Sequence, residues 1–278
     1  MIKLYRILFK ISCLILLLSV AIPINLVHAL DNPAGRILRM EGAVIIVRDS
    51  RTMNGSTDLK IYADDVIKTG PGSLVELLLQ DGSSLHMGPD SQLELNEFRF
   101  SLGKDKPSFI ARMAKGLFVY ISGAISKVHP GSVKFETPDA TIGIRGTKLV
   151  LKIDDLKFEK DMETEALPGC KETTVVLFRD PTGNVGKVTV SNIKGGDELN
   201  KEFYAIHVKC DSAPSKPMFL DRASLEKMIP ESLHSIVFEN YRPPLPYTES
   251  ENPLINPDNP VTPPKPPKTF SESAPPAS

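Results

Sequence analysis

An all-β body of short strands, a sandwich or roll closed by a short C-terminal helix and a proline-rich tail, is the architecture this sequence predicts. Three observations predict it. Apolar residues between Gly35 and Ile153 recur with a period of two or in short bursts. Gly, Pro, Asp and Ser break those bursts at the spacing of tight turns. The surplus of proline, 24 residues in 278, gathers largely after Tyr241.

The first residues carry Lys3, Arg6 and Lys10 ahead of an apolar stretch from Ile11 to Ile24. That is the order of a secretory signal. The stretch is shorter than the roughly 20 residues of a membrane-spanning helix, and it leads to Val27-His28-Ala29, so cleavage is expected after Ala29 with Leu30 as the new terminus. An uncleaved anchor is the rival. A lipid anchor fits poorly, because Cys13 stands at the front of the apolar stretch and not behind it. No later segment is long and apolar enough to span a membrane, so no stable transmembrane segment is expected after cleavage.

Within the body, Val44-Ile45-Ile46-Val47 reads as one strand and Leu74 to Leu79 as another. Asp81-Gly82 then supplies the geometry of a primed hairpin turn into Leu85-His86-Met87. Leu93 to Asn96, Phe109 to Met113, Gly116 to Tyr120, Val133 to Thr137 and Lys148 to Ile153 follow as further strands. Asp154 to Gly169 is charged and aperiodic and reads as an inserted loop. Thr173–Phe178 and Lys187–Val190 read as a strand pair joined through Asp180 to Asn184, with Phe203 to Val208 as a further strand. Asp221 is placed to cap a helix through Leu225 and Met228, which Pro230 ends or restarts. The organisation is therefore a signal peptide over 1–29, a β domain over 30–153, a β extension with a charged loop over 154–212, a helical segment over 213–240 and a tail over 241–278. The tail cannot bury enough surface to fold and is expected to be disordered and polyproline-like, either a docking strand or an idle terminus.

Several elements, taken in order, resemble the FecR domain, the sensory module named for the bacterial ferric-citrate regulator. They are Gly42 to Val47, Asp64-Asp65-Val66-Ile67-Lys68-Thr69-Gly70, Asp81-Gly82-Ser83-Ser84-Leu85, Pro89-Asp90-Ser91, Gly116-Leu117-Phe118, and Thr137-Pro138-Asp139-Ala140-Thr141 running on to Arg145-Gly146-Thr147. The resemblance implies an exported module of the periplasm or cell surface that binds or senses. The family's membrane-bound regulators carry a cytoplasmic segment that holds a sigma factor. Here only the signal precedes the domain, so direct sigma-factor control does not follow.

The residues that could carry chemistry have bland readings beside the functional ones. Arg145, between Gly143 and Gly146 and next to Thr147, could clamp an anionic ligand. The favoured reading is an anchor whose donors satisfy turn carbonyls, with the glycines giving backbone room. Asp64-Asp65 and Asp154-Asp155 are adjacent pairs whose side chains diverge in a strand, so they cap turns sooner than they hold calcium. His86, His129, His207 and His234 lack metal-ligand spacing, and no metal or other cofactor is implied. Ser73, Ser83 and Ser84 sit in turns without a nucleophile elbow. Gly195-Gly196-Asp197 reads as a turn, not a phosphate loop. A net charge of -1 offers no field for nucleic acid.

The expected function is thus non-enzymatic: a binding or sensory envelope module whose partner is an envelope protein, a glycan or a small ligand. The alternatives are a structural spacer tethered through the tail, and an unrecognised hydrolase. With Cys13 removed, Cys170 and Cys210 form an even pair in an oxidising compartment and are expected to bond to each other. Two free thiols, or a bridge between chains, are the competing readings.

Overall fold

The computed structural model describes residues 32–100, 106–160 and 163–238, without the side chains of 157–168. The signal and tail assignments lie outside the described residues. In chain order the strands are β1 (Gly35–Glu41), β2 (Val44–Arg48), β3 (Arg51–Asn54), β4 (Lys60–Ile61), β5 (Val66–Thr69), β6 (Leu74–Leu79), β7 (Ser84–Met87) and β8 (Gln92–Arg99). Strand β9 (Ser108–Ile121) precedes helix α1 (Ala124–Val128). Then come β10 (Val133–Glu136), β11 (Thr141–Arg145), β12 (Lys148–Lys160), β13 (Glu163–Phe178), β14 (Lys187–Asn192), β15 (Gly195–Leu199), β16 (Tyr204–Lys209) and β17 (Met218–Phe219). Helices α2 (Arg222–Met228) and α3 (Glu231–Phe238) follow. The chain is all-β with a short helical C-terminal segment.

Pairing sorts the strands into two sheets. The first runs β4-β1-β6-β7-β9-β12-β13-β16-β17 and is antiparallel throughout. The second runs β3-β2-β5-β8-β9-β10-β11-β14-β15, with β9 and β10 parallel. Strand β9 belongs to both: Ser108 to Lys115 pairs in the second sheet and Gly116 to Ile121 in the first. The two strands expected over Phe109–Met113 and Gly116–Tyr120 are therefore one, bent at Gly116. That glycine has φ +103, and a Cβ there would stand 2.1 Å from Ser91 Oγ. Ser91 Oγ in turn accepts from Leu117 N at 3.2 Å, which ties the Pro89-Asp90-Ser91 step to the bend.

Alternation fills the space between the sheets. Phe118 and Tyr120 of β9, Leu149 and Leu151 of β12, and Val175 and Leu177 of β13 join Phe109, Phe135, Ile142 and Val190 from the second sheet in one buried cluster. The alternate residues of the first sheet, Leu117, Val119, Val150, Val176 and Ala205, are also buried, outside that cluster. They are continuous apolar runs because both faces of this sheet are covered. The second cover is the α2–α3 segment, where Leu225, Ile229, Leu233 and Val237 are buried and a Cβ on Gly88 would meet Leu233 and Leu117. Asp221 caps α2 by accepting from Ser224 N at 2.8 Å, and α3 restarts after Pro230, as the sequence predicts.

Three local expectations are corrected. The β6–β7 hairpin forms across Asp81-Gly82, but only Gly82 is left-handed, at φ +77, so the turn is not of the primed type. Asp81 instead turns its carboxylate inward, accepting from Ser83 N and Oγ and from Ile125 N at the start of α1. Residues 154–169 are not a loop for most of their length. Strands β12 and β13 continue as a hairpin arm to Lys160 and Glu163, where Asp155 meets Lys171 at 2.5 Å and offsets the charge that breaks the apolar rhythm. Thr173–Phe178 and Lys187–Val190 do not pair, since β13 lies in the first sheet and β14 in the second.

Candidate functional site

The Thr-Pro-Asp-Ala turn between β10 and β11 forms one wall of a groove of about 460 Å3. Thr137 holds that turn: its N donates to Ala140 O at 2.8 Å and its Oγ1 accepts from Ala140 N at 3.1 Å. Thr173 Oγ1 donates to Thr137 Oγ1 at 3.0 Å, fixing the turn to β13. The opposite wall is the β14–β15 turn, Asn192-Ile193-Lys194, with Asp211 beside it. Asn192 Nδ2 joins the walls, donating to Asp139 O at 3.2 Å and to Ser212 O at 2.7 Å.

The groove's lining mixes charged, polar and apolar residues. Its cations are engaged: Arg112 lies 3.5 Å from Glu136, and Lys194 Nζ bonds Asp211 O. Asp139 stands apart. Its Oδ2 is buried with no hydrogen-bond partner among the described residues, and burial pushes its carboxyl upward while the Lys171 cation opposes the rise. Two cations against three carboxylates (Glu136, Asp139, Asp211) leave the lining acidic. Pro138 and the fully exposed Ile193 flank it.

The residues singled out in the sequence separate. Arg145 points to solvent and makes no hydrogen bond or ion pair among the described residues, so the expected anchor is corrected. Its position on β11 explains this: Ile142 and Ile144 take the buried face, and Arg145 the other. Carbonyl satisfaction falls to its neighbours. Thr147, fully buried, donates through Oγ1 to Phe178 O at 2.7 Å. Lys148, 4% exposed, donates to Ile236 O and Val237 O at the end of α3. Gly146 is left-handed at φ +53, and Gly143 faces Thr189, whose hydroxyl a Cβ would meet at 2.6 Å. Cys170 and Cys210 are bridged, with a Cα separation of 5.3 Å. Asp65 caps its turn, accepting from Tyr62 N at 2.8 Å, and is held by both nitrogens of an Arg48 fork at 2.6 and 2.7 Å. Sequence reasoning missed Arg48, Lys148 and the groove. The signal for the last was the Thr137–Thr141 motif itself; its partners come from turns about 50 residues away. Among the described residues no group of His, Cys, Asp or Glu is placed to hold a metal.

Residues 65–169 match the family model described as FecR protein. This stretch, less than half of the chain, is similar to the FecR family. No curated protein matches the chain. Among solved structures, two crystal structures of a "putative anti-sigma factor" from Parabacteroides distasonis ATCC 8503 are similar, at TM-scores of 0.40 and 0.39 and 15% identity. The likeness covers 58% of this chain and 62% of theirs, so the chain spans less than two thirds of those chains. The FecR match contains the Thr137–Thr141 wall and ends just before Cys170, while Asn192, Lys194 and Asp211 lie beyond it.

Proposed function

We propose that this chain is a non-enzymatic binding or sensory module of the bacterial cell envelope, exported by its first 29 residues, and that it holds a protein partner in the groove beneath Thr137–Thr141. The observation that carries the reading is the coincidence of two facts: the FecR match spans the chain's centre, and its Thr-Pro-Asp-Ala turn lines the groove. The lining suits a polypeptide segment. Ile193 and Pro138 offer apolar contact, and the acidic lining around Asp139 suits a segment that presents a cation or an N–H donor. None of the histidines and serines weighed for catalysis lines the groove.

Site-specific photo-crosslinking in the native cell tests the reading. A crosslinker placed at Ile193 should yield one defined protein adduct, absent when the same group replaces Val128, which is also exposed but lies on α1. The adduct should vanish when Thr141→Arg fills the groove. Equal adducts from both positions, or survival of the adduct in that variant, would overturn the reading.

A further inference from the structure

The groove is coupled to the disulfide. Cys170 directly precedes Lys171, the cation that acts on Asp139, and Cys210 directly precedes Asp211, which lines the groove. The bridge therefore clasps the middle of β13 to the turn after β16, beside one wall of the groove. That turn is backbone-strained, with Asp211 left-handed at φ 59. Among the described residues its bonds include Cys210 N to Lys171 O at 3.0 Å, Ser212 N to Lys209 O at 3.0 Å, Ser212 Oγ to Cys210 O at 3.5 Å, and the contacts of Asn192 and Lys194 with Ser212 O and Asp211. Those last contacts tie Asp211 and Ser212 to the β14–β15 turn within one wall, and Asn192 also donates across the groove to Asp139 O at 3.2 Å. Both sulfur-bearing residues are only half-buried, unlike the core strands, so a small thiol can reach the bond.

We infer that the Cys170–Cys210 bridge is a redox control on the groove: a dithiol reductant opens it and loosens the 209–213 wall, without unfolding the two-sheet body. In that step the bridge gains two electrons and two protons, leaving two thiols, and the dithiol is oxidised to its own disulfide. Loss of the clasp frees Asp211 and Ser212, and with them the wall to which Lys194 and Asn192 are tied and from which Asn192 reaches across to Asp139 O. The inference rests on the groove reading above, but its test needs no partner.

The test is amide hydrogen exchange on the full chain, oxidised and after treatment with dithiothreitol, with the Cys170→Ser/Cys210→Ser double variant as a second measure. Peptides covering 137–141, 190–194 and 209–213 should exchange about tenfold faster once the bridge is open, as one or two hydrogen bonds' worth of local stability is lost. The β6–β7 hairpin should be unchanged. Unaltered exchange at the groove, or a rise of equal size across the whole body, would overturn the inference. Exchange at the groove that rises as expected while no partner crosslinks at Ile193 would leave the control standing and sink the binding role alone.

Discussion

Arg145 and Thr147 show how little residue type says without the face it occupies. The guanidinium looks like the anchor of its loop, yet it lies in solvent, while the unassuming threonine beside it closes a buried carbonyl. Arg145→Ala should therefore leave stability within about 0.5 kcal/mol. Thr147→Val should cost roughly 1–3 kcal/mol, because Phe178 O loses a buried donor. Denaturant unfolding of the two variants decides between the residues. His86 offers a pH reading. It is buried on the same face of the first sheet as Lys148, and burial, with the Lys148 cation second, pushes its imidazole down to about 4. The unfolded chain holds that proton up to a pH of about 6.5. Stability from this group is thus complete above about 6.5 and is lost as pH falls toward 4, by an amount on the order of 2–3 kcal/mol. The pH profile of melting should flatten over that window in His86→Gln, and an unchanged profile would refute the assignment.

At the scale of elements, β9 joins the sheets through one residue. Gly116→Ala combines a left-handed backbone with a Cβ pressed into Ser91 and should cost roughly 2–4 kcal/mol, read as a drop in melting temperature. The α2–α3 segment covers the outer face of the first sheet, and its fully buried Leu233 packs near Gly88 and Leu117. Leu233→Ala should cost about 2–5 kcal/mol and expose apolar surface to a hydrophobic dye. Both elements bear on what the sequence made legible. Period-two alternation revealed most strands, and the Asp221 cap with Pro230 revealed the C-terminal helices, because those signals are local, whereas the short α1 carried no such signal. The β12–β13 arm was hidden because its charges break the apolar rhythm while Asp155 pairs across strands with Lys171, which no single-strand rhythm records. The pairing of β13 with β16 and of β14 with β11 was hidden because it joins segments about 30 and 45 residues apart and depends on which sheet each strand enters.

For the whole molecule, the groove is the feature the sequence half disclosed. Its Thr137–Thr141 wall stands in the motif that carried the family resemblance, and the FecR match confirms that region. Its other wall lies beyond the match, in turns that sequence reading took for plain connections; Gly195-Gly196-Asp197 in fact opens β15. The matched residues alone lack Asn192, Lys194 and Asp211, so the proposed groove needs the strands that follow the match as well. The most direct test is a calorimetric titration of the protein captured at Ile193 against the purified oxidised chain and its Thr141→Arg variant. Thr141 is an exposed strand position, so the substitution should leave the melting temperature nearly unchanged. The account predicts that the native chain binds and that the variant loses at least about tenfold in affinity. Equal affinity of the two chains, with both fully folded, would contradict it.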